Sequence, residues 1–242
     1  LLCFAVLFMA AATPLAACHE HNERYEGSRF IQRLLAGDDI ALISDAGTPL
    51  ISDPGYHLVR QARAAGVQVV PVPGPCALIA ALSAAGLPSD RFIFEGFLPA
   101  KTAGRCARLE QVREEPRTLI FYEAPHRILE CLQDMEKVFG GERSALLARE
   151  LTKTFETLKG LPLSELRAFV EADSNQQRGE CVVLLAGWTA PVSDEAVSTE
   201  VMRVLDLLLA EMPLKRAAAV AAEITGVRKN LLYQVALEKQ KA

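Results

Sequence analysis

Residues 44–55, Ser-Asp-Ala-Gly-Thr-Pro-Leu-Ile-Ser-Asp-Pro-Gly, combine the residue types that hold a polar ligand through the backbone. Two Asp, two Gly and two Pro fall between Asp45 and Gly55, so neither strand nor helix can continue through them. The apolar run Asp39–Ile43 precedes the loop, and helical spacing (Tyr56, Leu58, Val59, Ala62, Ala65) follows it. A strand that breaks into such a loop and then a helix is how open sheets build sites at their carboxyl edge. Glycine lets the backbone approach a ligand closely, which makes Gly47 a candidate contact and the loop more than a plain connection. Pro73-Gly74-Pro75-Cys76-Ala77 repeats the arrangement: it follows an apolar run and opens a helix whose first amides are free for polar ligand atoms. The bland alternative is a proline-shaped helix start.

A third cluster, Arg149-Glu150-Leu151-Thr152-Lys153-Thr154-Phe155-Glu156, places charge directly after an apolar run. Arg149 and Lys153 suit a phosphate or a developing alkoxide, and either Glu150 or Glu156 suits removal of a proton. A solvated turn would look the same. His19-Glu20-His21-Asn22-Glu23 invites a metal reading, but no third His or Cys lies close by in sequence. A hydrogen-bonded network or an RNA contact fits it better, so no metal is expected.

Several chemistries lack their residues. There is no GxGxxG, GxxxxGK[ST], HExxH or GxSxG. The six Cys, at 3, 18, 76, 106, 131 and 181, form no CxxC, which fits a reducing compartment better than a zinc ribbon or a disulfide framework. The formal charge of −4 means that any nucleic-acid contact must come from a local patch. Such a patch stands at the end of the chain. Residues 189–210 hold one Arg against four acidic residues, and residues 211–242 hold six Lys/Arg against three Glu. Lys215, Arg216, Arg228 and Lys229 fall near the starts of two helices, where the helix dipole disfavours cations. A phosphate partner explains them, although a solvated amphipathic helix pair is the competing reading.

The elements that must position these residues alternate. Helices are predicted over 28–37, 56–65, 77–85, 125–139 and 162–171, with strands over 39–44, 67–70, 92–94, 118–122, 144–149, 154–158 and 181–186. This alternation implies a parallel sheet covered on both faces. Residues 99–110 read as a mobile basic connection, with a domain boundary near Leu98. From Glu195 onward the pattern is helical, with a helix–turn–helix pair at Lys215–Thr225 and Arg228–Lys239.

The loop 44–55 resembles the signature of the ribosomal RNA small subunit methyltransferase I family, a branch of the tetrapyrrole methylase-like methyltransferases. Further matches follow in the family's order: His19–Glu23, Pro73–Ala77, Phe94-Glu95-Gly96-Phe97-Leu98-Pro99, Phe121-Tyr122-Glu123-Ala124-Pro125-His126-Arg127, Ala148–Lys153 and Gly179-Glu180. The resemblance spans residues 13 to about 240. It implies two α/β domains, 1–98 and 99–188, with a cofactor cleft between them, and a small helical domain at 195–242 that docks RNA. It implies S-adenosylmethionine as cofactor, whose two ends suit loops rich in Gly and Pro. Asp45, Thr48, Cys76 and Ala77 fall where the wider superfamily touches the cofactor. Tyr122, Ala148 and Gly179 are its second-domain candidates. The family usually has Ser where this chain has Cys76.

Lys153, Glu156 and Arg149 are the expected catalytic group, with Glu123, His126 and Arg127 facing the same cleft. The implied reaction is 2′-O-methylation of a cytidine in 16S ribosomal RNA, in the cytoplasm, by a homodimer that acts on the small ribosomal subunit and not at a membrane. Methylation of a tetrapyrrole or a diphthamide precursor is the sister activity, and a non-catalytic ribosome-binding remnant the third reading. Family members carry a first strand and a Gly-Asn loop ahead of Thr13-Pro14-Leu15. Their lack here reads as a truncation of the cofactor site. Residues 1–17 are uncharged and Leu15–Cys18 matches a lipoprotein cleavage box, but no basic segment precedes the apolar core, so export is not expected.

Overall fold

The apolar runs Thr118–Glu123, Ser144–Arg149 and Cys181–Leu185 form β2, β3 and β5, the interior of a five-stranded sheet. Its edges are β1 (Phe92–Phe97) and β4 (Thr157–Pro162), and the order is β1-β2-β5-β3-β4. Only β1 and β2 pair in parallel; β5 runs antiparallel to both its neighbours, and β4 antiparallel to β3. The sheet is therefore mixed rather than parallel, because the last strand enters between β2 and β3 in the opposite sense.

This computed structural model describes residues 14–18, 23–189 and 198–239. The apolar amino terminus and His19–Asn22 lie outside the described residues. The chain divides into two compact units, Leu1–Trp188 and Thr189–Ala242. β1 lies before Leu98 and pairs with β2 after it, so the sheet runs across the expected boundary.

Alternation along each strand sends side chains to two faces. Leu119, Phe121, Leu147, Cys181, Val183 and Leu185 pack against α4 (Thr102–Gln111), α5 (Ile128–Phe139) and α6 (Leu163–Ala172). Ile120, Leu146, Ala148, Val182 and Leu184 pack against α3 (Ala77–Ala84) through Leu78, Ala81 and Leu82. The five described cysteines form no disulfide. Cys131 and Cys181 are buried on the first face, and burial pushes the Cys131 thiol far up and that of Cys181 to about 12.

Residues 102–111 are the helix α4, not a mobile connection. Arg105 is buried, with Nε donating to Asp134 Oδ2 at 2.7 Å, and Arg108 donates through two nitrogens to Glu95 at 2.7 and 2.9 Å. The basic residues of this stretch are therefore held by internal carboxylates.

Residues 39–44 and 67–70, expected as strands, form none. They lie near α1 (Glu23–Leu35) and α2 (Tyr56–Ala64) but outside any ladder. Among the described residues no strand pairs with either, and Ile43, Val70 and Val72 are exposed. An apolar run becomes a strand only when a neighbour takes up its backbone groups. Among the described residues, no helix is long and apolar enough to cross a membrane.

The described residues of the second unit form three helices: α7 (Thr199–Glu211), α8 (Leu214–Thr225) and α9 (Lys229–Lys239). Ser198 caps α7 by accepting from Val201 N at 3.3 Å. The small residues Ala218 and Ala221 let α8 approach Leu205, Leu232 and Ala236 in one core. Gly226, at φ 72°, makes the left-handed turn between α8 and α9.

Candidate active site

Register brings the ends of four chain segments to one edge of the sheet. Glu123 and Arg149 both pair with Cys181, Arg149 also pairs with Thr157, and Phe97 pairs with Tyr122. The segments after β1, β2 and β3, and those before β4 and β5, all emerge there. Tyr122, Ala148, Arg149, Lys153, Glu156 and Gly179 are thus gathered at or beside one edge.

The two Gly/Pro loops lean on the α3 side of that edge. Thr48 Oγ1 donates to Pro75 O at 2.8 Å, joining the first loop to the second. Within the first loop Ser44 Oγ donates to Asp53 Oδ2 at 2.7 Å. Leu50 and Ser52 hold positive φ of 72° and 59°, a conformation that side chains with a Cβ adopt at a cost. Gly47 also has positive φ, 84°, and a Cβ built there would lie 3.8 Å from Pro75 O. Gly55 holds φ 127°, a conformation that residues with a Cβ adopt at a cost, and a Cβ there would also push against the Leu42 side chain, 2.7 Å from Cδ2. Asp45 and Ala77 are exposed, while Cys76 is half-buried at the start of α3.

Cys76 makes no side-chain cap for α3. Tyr122 replaces it: its hydroxyl oxygen accepts from Leu78 N at 3.0 Å. Phe94 and Phe97 meet the Tyr122 ring edge to face, with centroids at 4.8 and 5.8 Å. Burial, above all, pushes the phenol up to about 12. Tyr122 is a neutral post that ties the sheet edge to the second loop. Ala148 is fully buried in the same cluster and presents no polar side chain.

The charged cluster after β3 is a tight turn. Glu150 and Thr152 hold φ of 51° and 64°. Glu150 Oε1 accepts from Lys153 Nζ at 2.9 Å and from Glu180 N at 2.9 Å. Lys153 Nζ also donates to Glu180 Oε2 at 3.1 Å. The Lys153 hydrogen bond, first, and the Glu180 amide hold the Glu150 carboxyl below its usual range. The Glu150 hydrogen bond, first, holds Lys153 above its own. Lys153 is therefore a fixed cation and no proton acceptor at neutral pH. Glu156 is exposed and accepts from Thr152 N at 2.6 Å.

Arg149, also expected in the catalytic group, is held differently from Lys153. It is 6% exposed, on the face of the sheet away from α3. Its donors reach Gln176 Oε1 (3.1 Å), Arg178 O (3.2 Å), Phe155 O (3.0 Å) and Thr157 Oγ1 (3.1 Å). This guanidinium is engaged by the chain itself. Gly179 also has a structural reason for being glycine. At φ 79°, a Cβ there would lie 2.3 Å from Glu150 Cδ. The Glu150 side chain occupies that space, so Ala148-Arg149-Glu150 and Gly179-Glu180 form one unit.

Sequence reasoning missed two internal staples. One is Arg105–Asp134. The other is Glu123, 2% exposed, whose Oε1 accepts from Ala124 N at 2.7 Å and Arg127 Nε at 2.9 Å. Arg127 Nη2 reaches Leu98 O at 3.5 Å, which ties the segment after β2 to that after β1. The i, i+4 spacing of Glu123 and Arg127 was the available signal. His126 is exposed and takes no part in that clamp.

In the second unit Lys215, Arg216, Arg228 and Lys229 are all exposed. Arg228 and Lys229 line an open recess with Asn230, Leu231 and Gln234.

Comparison with known proteins adds a second line of argument. The family profile of the tetrapyrrole (corrin/porphyrin) methylases matches residues 6–167, and that of the RsmI C-terminal HTH domain matches residues 195–240. The chain is 77% identical over 228 residues to a ribosomal RNA small subunit methyltransferase I of Pseudomonas aeruginosa, covering 94% of this chain and 81% of the relative. It is 57% identical over 226 residues to the protein of that name in Escherichia coli, covering 93% and 78%. Among solved structures it is similar to the methyltransferase CobJ, with a TM-score of 0.53 at 19% identity over 75% of this chain and 80% of that one. A uroporphyrin-III C-methyltransferase from Thermus thermophilus, complexed with S-adenosyl homocysteine, gives 0.51 at 17% identity over the same shares. At these identities the two structures establish the fold alone, which is the tetrapyrrole methylase fold.

Proposed function

Because this chain belongs to the tetrapyrrole methylase family, in its ribosomal RNA small subunit methyltransferase I branch, we propose that it methylates a cytidine ribose 2′-hydroxyl of 16S ribosomal RNA from S-adenosylmethionine. One observation carries the reading onto this molecule. Leu151, in the charged turn, packs into the same cluster as Cys76, Leu78 and Tyr122, so the candidate catalytic turn and the second Gly/Pro loop share one edge.

The residues present fit the cofactor. A Cβ at Gly47 or Gly74 would already be in van der Waals contact with the loop backbone, 3.8 Å from Pro75 O and 3.9 Å from Val72 O, so glycine leaves room for a ligand to approach the backbone there. The first loop offers Asp45 and the Thr48 hydroxyl, and Cys76 and Ala77 offer the amides at the start of α3. Gly179 and Ala148 support the opposite wall through Glu150 and the sheet. When bound, S-adenosylmethionine supplies an electrophilic methyl group. The chain must then align the acceptor hydroxyl and remove one proton. Lys153, kept cationic by Glu150 and Glu180, lowers the energy of a developing alkoxide. Glu156 is exposed in the same turn and takes the proton. Arg149 keeps the turn in place.

Lys215, Arg216, Arg228 and Lys229 contact ribosomal RNA phosphates. The division into cofactor loops, sheet and helical docking unit, the homodimer and the cytoplasmic setting belong to the same reading.

Isothermal titration with S-adenosylmethionine, followed by methyl transfer to small ribosomal subunits from cells lacking the activity, tests it. The expected result is micromolar binding and one labelled cytidine. No binding would leave a non-catalytic remnant, and transfer to a tetrapyrrole in place of RNA would point to the sister activity. Reversal of the four cations to Glu should weaken subunit binding and flatten its salt dependence while leaving cofactor affinity alone.

A further inference from the structure

The turn between β3 and β4 carries a feature the proposed reaction has not used. Phe155 is 74% exposed, in a chain whose aromatic residues are 6% of the total. A single exposed phenyl is ordinary. This one is unusual in how firmly its backbone is held. Arg149, buried and with its donors on amide, carbonyl and hydroxyl oxygens, donates to Phe155 O and to Thr157 Oγ1. Glu156 N donates to Lys153 O at 3.1 Å and Lys153 N to Glu150 O at 3.0 Å. Glu156 Oε2 takes the Thr152 amide, and two residues of the turn hold positive φ. A buried charge and backbone strain thus fix a loop that presents an apolar ring to solvent. That ring adds nothing to the core.

We propose that Phe155 is a stacking platform for an unpaired base of the RNA substrate, with Arg149 as the residue that positions it. This rests on the function proposed above. Proteins that read unpaired RNA stack splayed-out bases on exposed aromatic rings, and a ring held in advance loses little freedom on binding. Phe155 stands two residues from Lys153 in sequence and at the sheet edge where the ribose must be presented. A base seated on the ring therefore sets the register of the strand relative to the cation. Stacking is tolerant of base identity, so the platform contributes affinity and register rather than sequence choice.

The test uses the full chain as wild type, Phe155→Ala and Phe155→Trp, assayed on small ribosomal subunits, with cofactor titration, thermal melting and sedimentation on each. Phe155→Ala should lower kcat/KM about tenfold, mainly through KM, with cofactor affinity, melting temperature and sedimentation unchanged. Phe155→Trp should recover most of the loss. Equal efficiency of Phe155→Ala and wild type would overturn the proposal. A change in sedimentation on Phe155→Ala would overturn it too, since the ring would then cover a second copy of the chain. A wild type that transfers no methyl group to RNA would sink the functional reading itself, and this inference with it.

Discussion

Residues 39–44 and 67–72 are about as apolar as the runs that form β2, β3 and β5, yet the two regions end in different states. In the sheet, every residue of β5 is buried and each strand's backbone is answered by a neighbour. In the segment before α3, Ile43, Val70 and Val72 stand in the open, and the chain is held by helices and by bonds such as Thr48–Pro75 and Ser44–Asp53. Hydrophobic composition drives burial only where a partner surface exists. The region expected to grip the cofactor is the less tightly determined one, and it borrows order from the sheet through Tyr122 and the Leu78 amide.

The contrast can be broken most sharply in the core. Leu147→Ala, at a fully buried position of β3, should cost about 3 kcal/mol in urea unfolding. A loss under 1 kcal/mol would mean that the sheet is not the stable half. Next in size is Gly179→Ala, which drives a methyl group into the Glu150 side chain and strains the backbone. Roughly 2 kcal/mol is expected. In a Glu150→Ala background the same substitution should cost visibly less, since only the backbone penalty remains. Equal costs in both backgrounds would refute the pairing of these two residues.

Tyr122→Phe should cost about 1 kcal/mol, because the Leu78 amide loses its acceptor, and it should weaken cofactor binding more than it weakens the fold. Its pH dependence has a definite sign. The Tyr122 phenol is raised to about 12 in the fold and ionises near 10 in the unfolded chain. Its contribution is therefore complete below about pH 10 and fades as pH climbs toward 12. Melting curves of Tyr122→Phe should be flatter than wild type across that window. The smallest effect belongs to Val72→Ala, where 77% of the residue is already in solvent. A change within ~0.5 kcal/mol is expected, and a large one would show that this stretch is covered in solution.

Sequence reading succeeded where one local rule sufficed. The strand over 144–149 appears with the same bounds, and 118–122 and 181–186 differ by one residue, because each is a short apolar run between breakers. The expected strand at 154–158 lies instead at Thr157–Pro162. Gly160 and Pro162 are poor residues for a central strand, but β4 is an edge strand, which tolerates both. The site was legible as motifs but not as roles. Arg149 and Lys153 look equivalent in a line of text. Register turns Arg149 toward Gln176 on the far face and leaves Lys153 at the rim between two carboxylates. Strand direction was not legible either, since nothing in the Cys181–Leu185 run says which way it enters.

The placement of the cysteines gives the molecule built-in clocks. Cys131 and Cys181 lie under the helices on one face of the sheet, with thiols that burial keeps protonated, whereas Cys76 is half-buried at the entrance of α3. Only a thiolate in contact with solvent reacts with a disulfide reagent. The modification rate at Cys76 therefore counts local openings of the second loop, and the rates at Cys131 and Cys181 count global ones. Mass spectrometry of a single labelled sample would separate the breathing of the second Gly/Pro loop from the unfolding of the scaffold beneath it.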